Sequence, residues 1–545
     1  MPAAPPRTFD DAAGPARGRV PDGASDGPAS GADAGPLRPV RTVPVTVTAV
    51  AERIHAALPG EAAPEIAGDA AATVTGATLR AHEVRPGDLF AALPGARAHG
   101  ADFAADALAR GAAAVLTDAA GAERGALRDA GVPVLVHADP RGAIGHASAL
   151  VYGDPSTRLD VLGVTGTSGK TTSVYLLEAA LAAAGAGTGL IGTVETRLGG
   201  QRLPSAFTTP EAPDLQAILA RMADDGATHV AMEVSSHALS LGRVAGTRFA
   251  VGAFTNLSAE HLDFHADMED YFAAKARLFD GRSAAEVVCI DTSWGRRLVR
   301  EGTVTVGTPD ADWRAEEIVA LPDGTQRFTV HGPDGLVLPV AVRLPGAFNV
   351  TNALLALACG AAAGYDPAVL ARGLAEVRVP GRMQRVEAGQ PFLAVVDYAH
   401  KPAAVAALLE TLRAGTADSG GRVLTVLGCG GDRDRAKRPV MGRLAAQLSD
   451  HLWVTDDNPR TEDPAAIRAA VLDGARSAAA GSEIDEVGDR REAIAAAVGA
   501  ARAGDVVVVA GKGHETGQQI GAEKFPFSDV EELERALARV QGGRA

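Results

Sequence analysis

From residue 43 onward, short apolar runs alternate with longer stretches in which apolar residues recur at helical spacing. That alternation predicts strands followed by helices, the pattern of an α/β protein. In a first region, residues 84–93 hold a strand, 103–110 a helix, and 113–116 and 132–136 two more strands. Pro133 falls near the start of the last strand, where a missing N–H is tolerated. A second region runs from 158 to 379, opening with a strand at 159–164 and closing with a helix that starts near Asn349. A third, from 381 to the end, places strands at 393–396, 423–427, 452–455 and 505–510. Residues 1–42 are rich in Pro, Gly, Ala and Asp, with almost no large apolar side chain. Such a segment cannot bury enough surface to fold, so a disordered extension is expected there. The expectation is an α/β chain of three domains, 43–155, 156–379 and 380–545.

Composition supports this division. A chain of 545 residues is too long for one hydrophobic core. Its apolar content is mostly Ala, Val and Leu, with 4% aromatic residues, which suits helices packed on parallel sheets. The net charge of −15 and the lack of a long Lys/Arg run argue against nucleic acid as a partner. Cys289, Cys359 and Cys429 are far apart and form no CxxC pair, so neither a disulfide framework nor a zinc site is expected. No apolar run is long enough to span a bilayer, and the N-terminus lacks the basic-then-apolar order of a signal peptide. No membrane partner and a reducing, cytoplasmic location are therefore expected.

Chemistry enters at Gly163-Val164-Thr165-Gly166-Thr167-Ser168-Gly169-Lys170-Thr171-Thr172, which follows a strand and opens a helix. Backbone N–H groups of such a loop, with the positive end of the helix, wrap phosphates. Lys170 can offset β/γ-phosphate charge and the Thr171 hydroxyl can hold Mg²⁺. Val164 stands where the first glycine of GxxxxGK[ST] belongs, so the ordinary Walker spacing is not met. Downstream, Glu233 and His261 follow two apolar runs, and ligand sites of open parallel sheets lie just beyond strand C-termini. A carboxylate there suits Mg²⁺. On pattern alone, residues 271–279 are an amphipathic helix in which Lys275 is a solvated lysine.

These stretches, with others, carry a resemblance. GVTGTSGKTT, MEVSSHAL, FTNLSAEHLDFH, YFAAKARLF, GAFNVTNALLA, PGRMQ, VVDYAHKP, GCGGDRDRAKRP, TDDNPRTEDP and AGKGHE occur in the order found in Mur ligases. The chain resembles that family over residues 70–540. The resemblance implies an N-terminal UDP-binding domain, a central P-loop ATPase domain with a parallel sheet, and a Rossmann-like C-terminal domain. It implies ATP and Mg²⁺ as cofactors, and an amide-bond-forming ligase acting through an acyl phosphate. The substrates implied are a UDP-muramoyl dipeptide and diaminopimelate, and the chain is expected to act as a monomer.

Carried onto this sequence, Gly166, Thr167, Ser168, Gly169, Lys170, Thr171 and Thr172 would bind ATP, with Asn349, Arg382 and Asp397 touching the nucleotide across the domain interface. Thr171, Glu233, His261 and Lys275 would form the metal site, Lys275 as a carbamate, which converts an ammonium into a carboxylate-like anion. Lys170, Glu233, His261 and Lys275 would be the catalytic residues. Ala77, Leu79, Ala96, Arg97, Ala98, Thr208, Thr209, Ser235, Leu241 and Arg243 would contact the UDP-muramoyl peptide. The chain departs from the family pattern at Leu79, Ser168 and Leu241.

Four strands of the third region end in polar residues that would converge on one sheet edge. Arg433, Asp457, Asn458, Pro459, Arg460, Gly511 and Glu515 there would bind diaminopimelate. An amino acid needs anion donors and an ammonium acceptor, and Arg pairs carboxylates with a planar fork. Diaminopimelate carries a distal amino-carboxylate where lysine has only an ammonium, so Arg460 should favour the former. Within the family, Asp-Asn-Pro-Arg accompanies diaminopimelate. The alternatives are the lysine-adding form of the ligase, a folylpolyglutamate synthetase-like ligase, and a nucleotide-dependent switch. The simpler role for Arg433 and Arg460 is a structural salt bridge.

Overall fold

The computed structural model describes residues 37–542 except 96, 206, 322, 417–419 and 479–480. Three sheets organise them. The first has five strands in the order Glu65–Ala67, Val134–Val136, Ala114–Thr117, Asp88–Ala91, Gly76–Thr78. Only the Glu65–Ala67 pairing is antiparallel. The helices Val47–Ala57 and Pro140–Val151 lay Val50, Ile54, Ile144 and Ala147 against Leu89, Leu116 and Leu135 of this sheet. Ala217 and Ala220, from the next region, belong to the same core.

The expected extension to residue 42 is too long. Residues 1–36 lie outside the described residues, but Arg38 is fastened to Asp88 by two bonds of 2.6 and 2.8 Å. Its side chain is 8% exposed. A buried ion pair, with Leu37 packed on the core of the second region, anchors a segment poor in apolar residues, which a hydrophobicity argument cannot foresee.

The second sheet has eleven strands. Its centre holds His229–Glu233 (β2) beside Asp160–Thr165 (β1), with Phe249–Phe254 (β3) on the other side of β1. All three are parallel and aligned so that Glu233 lies opposite Val164, and Phe254 opposite Thr165. Their C-terminal ends therefore sit side by side. These strands are apolar throughout because both faces are covered. Helices Lys170–Ala183 (α1) and Ala347–Ala362 (α3) pack on one face. Helices Ala212–Asp224 and Met268–Ala276 (α2) cover the other. The region ends one helix later than expected, with Pro367–Leu374, capped by Asp366.

The third sheet runs Gln384–Arg385, Leu393–Asp397 (β4), Val506–Ala510 (β7), Val423–Cys429 (β5), His451–Asp456 (β6), Glu483–Glu486. β4 to β7 are mutually parallel and end on one edge, as the sequence suggested. That edge is braced by Arg490, which donates to Asp529 at 2.7 and 2.8 Å and to the Ala510 carbonyl at 3.0 Å. Both side chains of the pair are fully buried. Removing one partner of a buried pair strands a charge. Asp529→Ala should therefore cost about 3–5 kcal/mol of stability in a urea melt, and a loss below about 1 kcal/mol would show that Arg490 finds other partners.

Candidate active site

The loop after β1 is shaped by two glycines. Gly166 and Gly169 have φ of 146° and 88°. A Cβ on Gly166 would overlap the Thr255 hydroxyl, and one on Gly169 the Asn352 amide. The end of β3 clamps the loop from the side. Ser168 N–H donates to Asn256 Oδ1 at 2.9 Å, and the Thr255 hydroxyl donates to the Ser168 carbonyl at 2.7 Å. Lys170, at the start of α1, folds over this loop and donates to the carbonyls of Gly166 and Thr167 at 2.8 and 2.9 Å. Burial lowers its pKa, Glu233 opposes that, and Arg382 lowers it further. Thr171 and Thr172 follow, both buried. The lysine thus occupies a cradle of backbone groups with cationic and anionic neighbours, a geometry suited to polyphosphate.

Glu233, 1% exposed, ends β2 beside that loop. It accepts from Thr193 N–H at 2.8 Å and from the Thr193 hydroxyl at 3.1 Å. Thr193 had no signal in the sequence. It also lies 3.0 Å from the Thr208 hydroxyl, while Thr209 donates to the Glu233 carbonyl at 2.8 Å. Ser235 N–H donates to the Thr209 hydroxyl at 3.1 Å, and Arg243 donates to the Thr209 carbonyl at 3.2 Å. Arg243 is held by Glu211 at 2.8 Å. Thr208, Thr209, Ser235 and Arg243 are therefore brought together around the base of Glu233, and Leu241 caps the helix Ser236–Ser240 just before Arg243.

Lys275 overturns the expectation of a solvated lysine: it is 1% exposed. Its Nζ donates to the Gly166 carbonyl at 2.8 Å and lies 4.6 Å from the centre of the Tyr271 ring. The same face of α2 brings the Tyr271 hydroxyl to 3.2 Å from Thr167. Burial, then the charge of Lys170, pushes the Lys275 pKa well below that of an ordinary lysine. An amine so placed is partly neutral, the form that reacts with CO₂.

His261, with φ of 56°, sits on the loop between β3 and α2. Its Nε2 is 2.9 Å from Glu260 Oε1. Burial and the charges of Lys170 and Lys275 lower its pKa. Against it stands His237, at 4.8 Å between ring centres, itself pushed down to about 4 by burial and by His261 and His265. Among the described residues, no three His, Cys, Asp or Glu side chains converge enough to hold a metal ion alone. A buried carboxylate beside a helix-start hydroxyl and a phosphate cradle fits Mg²⁺ nonetheless, since that ion keeps waters and takes substrate phosphates alongside one or two carboxylates.

Asn349 and Asn352 lie at the start of α3. Asn349 donates to the Pro345 carbonyl at 2.7 Å and accepts from Asn352 at 3.0 Å. Asp397 ends β4 with both oxygens engaged, by Met383 N–H at 2.7 Å and Ala399 N–H at 2.8 Å. It thereby sets the turn that carries Arg382, whose guanidinium lies 4.5 Å over the Tyr398 ring. Asp397 so anchors the turn that carries Arg382, with one acceptor position used on each oxygen.

On the edge formed by β5, β6 and β7, Lys512 is completely buried, a role the sequence reading missed. It donates to Asn458 Oδ1 at 3.0 Å and to Glu515 at 3.2 Å. Asn458 Oδ1 also accepts from Gln519 N–H at 2.9 Å, and Asn458 Nδ2 donates to Glu515 at 2.8 Å. The amide oxygen is thus used up, and Asn458 has only an N–H left for a ligand, a donor for a carboxylate. Asp457, whose Oδ1 is 3.7 Å from Lys512, and Glu515, through the oxygen that Lys512 and Asn458 do not use, are acceptors suited to an ammonium. A Cβ on Gly511 would press on Asp457 at 2.8 Å, which keeps that approach narrow. Pro459 is buried behind the loop. Arg460, at φ 51°, donates to the Gly431 carbonyl at 2.6 Å, and Arg433 is exposed. Neither makes a side-chain salt bridge among the described residues, so the structural role weighed for them finds no support.

The first region contributes less. Ala77 is bonded through its backbone to the Tyr152 hydroxyl at 3.1 Å, and Leu79 packs on the first core. Arg97 and Ala98 lie exposed after the strand Asp88–Ala91, and Ala96 lies outside the described residues. Arg80, adjacent to Leu79, reaches Asp214 of the second region at 2.8 Å.

Comparison with known proteins places this geometry. The Mur ligase middle domain profile matches residues 164–360, the Mur ligase glutamate ligase domain residues 381–513, and the Mur ligase family catalytic domain residues 73–152. The UDP-N-acetylmuramoyl-L-alanyl-D-glutamate–2,6-diaminopimelate ligase of Streptomyces coelicolor is 52% identical over 519 residues, 93% of this chain and 99% of that protein. The ligase of the same name from Corynebacterium glutamicum is 54% identical over 463 residues, 82% of this chain and 89% of its own length. A solved structure of a ligase of that name superposes with a TM-score of 0.65 at 31% identity, covering 92% of this chain and all of the other. The folylpolyglutamate synthase of Mycobacterium tuberculosis, at 19% identity and a TM-score of 0.55 over 74% of this chain and 96% of its own, shares the fold alone.

Proposed function

This chain belongs to the Mur ligase family of ATP-dependent, amide-bond-forming enzymes, and on that premise we propose that it joins diaminopimelate to UDP-N-acetylmuramoyl-L-alanyl-D-glutamate. The observation that carries the reading is the pairing of two edges. One sheet edge gathers Lys170, Glu233 and Lys275 around a phosphate cradle, and another presents Asn458, Glu515 and Arg460 for an amino acid.

A free carboxylate is a poor electrophile. ATP, when bound with Mg²⁺, supplies a phosphoryl group that turns it into an acyl phosphate with a good leaving group. The chain's residues would then divide the work. Lys170 swings from the loop carbonyls onto the nucleotide phosphates. Thr171, Glu233 and His261 would hold the metal, which would offset phosphate charge, and Lys275 as a carbamate would add a further anion there. Thr208, Thr209, Ser235 and Arg243 grip the peptide carboxylate end. The incoming amine attacks the acyl carbon and inorganic phosphate departs. Asp457 and Glu515 would hold the ammonium end of diaminopimelate, and Asn458 and Arg460 its carboxylates. In this reading the first region binds the UDP end through Ala77, Leu79, Arg97 and Ala98. The enzyme works in the cytoplasm, as a monomer.

Phosphate release with Mg²⁺, ATP and UDP-muramoyl-Ala-Glu tests it, with meso-diaminopimelate, LL-diaminopimelate or lysine offered in turn. Turnover is expected with a diaminopimelate isomer and not with lysine. Arg460→Ala should lower kcat/KM for that isomer roughly 100-fold, chiefly through KM, because a site built to bond a carboxylate leaves it unpaired. Turnover with lysine alone would establish the lysine-adding ligase instead.

A further inference from the structure

On the side of the site, Lys401 ion-pairs with Glu260. Lys401 follows β4 in the third region, and Glu260 lies on the loop between β3 and α2 in the second. The same Glu260 oxygen is 2.9 Å from His261 Nε2. A carboxylate in that position accepts the Nε2 proton, orients the ring, and leaves the lone pair on Nδ1. The ends of the loop are fixed within the second region, by Asn256 on Ser168 and by His265 on Ser236 at 3.0 Å, while Glu260 between them reaches the third region. His261 is a non-glycine residue in the left-handed region, and Leu262 and Phe264 are exposed. Nearer to Glu260, Ser258 N–H donates to the Thr167 hydroxyl of the phosphate loop at 3.1 Å.

The other ion pairs between these regions, among the described residues, are Arg343 with Glu387 at 3.1 Å and Arg385 with Asp323 at 3.6 Å. Both lie by the chain crossing, where Asp323, Arg385 and Glu387 border a cavity of about 980 Å³. None of the catalytic residues lines that cavity, so Lys401 with Glu260 is the ion pair that joins the two regions at the site. Most exposed ion pairs contribute little, but Glu260 is only 14% exposed and bonds two partners at once.

We propose that Lys401 is a positioning residue of the ligase, whose grip on Glu260 draws the amino-acid region onto the phosphate loop and sets the His261 ring in the same movement. The proposal rests on the ligase reading of the site, but its first readout does not. Spin labels on introduced surface cysteines, one in each region, report the separation in the ligand-free protein. Lys401→Met should lengthen and broaden that distance, and Lys401→Arg should restore it. Kinetically, Lys401→Met should lower kcat about 10- to 100-fold, with the KM for ATP changed less than about threefold. Glu260→Gln should match it, and the double variant should lose no more than either single one. A label distance unchanged by Lys401→Met, or losses that multiply in the double variant, would overturn the proposal. A wild-type protein that releases no phosphate would instead sink the ligase reading, while the label distances would still decide the latch. Circular dichroism confirms that each variant is folded.

Discussion

Lys170→Ala is expected to reduce ATP-dependent phosphate release by about 10³-fold or more, the largest effect of any single substitution here. The side chain already lies over the loop, bonded to the Gly166 and Thr167 carbonyls, and needs only a rotation to meet phosphate oxygens. In-line transfer between two anions depends on cations fixed in place before the reaction. Loss of the ammonium leaves the loop N–H groups intact, so nucleotide should still bind, with weakened affinity. Lys170→Arg should not rescue, because a planar fork cannot occupy a cradle shaped for a point charge. The fold should be unaffected, since the loop is set by Gly166, Gly169 and the clamp from Thr255 and Asn256. Steady-state phosphate release, with a thermal melt as control, checks this. Activity within tenfold of wild type would mean that the loop is not the phosphate site.

The second large effect is expected at Lys275. If it acts as a carbamate, Lys275→Ala should cost about 10²- to 10³-fold in turnover, comparable to deleting a preorganised electrostatic group. A small carboxylic acid added to the assay should restore part of the loss by supplying the missing anion. The environment favours the modification. The amine is buried, held by one carbonyl, and depressed in pKa by burial and by Lys170. The neutral amine needed for CO₂ addition is therefore more populated near neutral pH than for an exposed lysine, and its share falls as pH drops. Labelled bicarbonate should give a carbamate carbon resonance in the wild-type protein and none in Lys275→Ala. A wild-type spectrum without that resonance, under conditions of full activity, would show that Lys275 works as an amine.

Much of the candidate site was legible because its parts are local. Gly166, Gly169 and Lys170 follow one another within five positions, and the requirements for a tight turn and a helix start are written in adjacent residues. The four strands of the third region could be placed from their apolar runs alone, and their polar ends then fell on one edge because parallel strands share a direction. Three features resisted. Lys275 looked solvated because α2 carries polar residues on several faces, and only the proximity of the phosphate loop shows which face is covered. Arg38 looked like part of a polar tail because its anchor, Asp88, lies 50 residues away. Lys512 had no role assigned within AGKGHE, whereas its burial shows it fixing the Asn458 amide.

By itself, then, the order of residues determined the α/β class, the three-region plan, the glycine-lysine turn after β1 and the polar residues gathered at strand ends. Hydrophobic periodicity and turn chemistry are short-range, and they act on neighbours in the chain. Only the tertiary structure decided which side chains are desolvated and which oxygens are already spent. That is why only the structure shows Asp397 bonded to the turn that carries Arg382, the Asn458 oxygen already occupied, and Glu260 as the meeting point of Lys401 and His261. Burial and hydrogen-bond saturation depend on contacts that join separate elements, from 14 positions apart for Asp397 and Met383 to 141 for Lys401 and Glu260, and no local pattern records them.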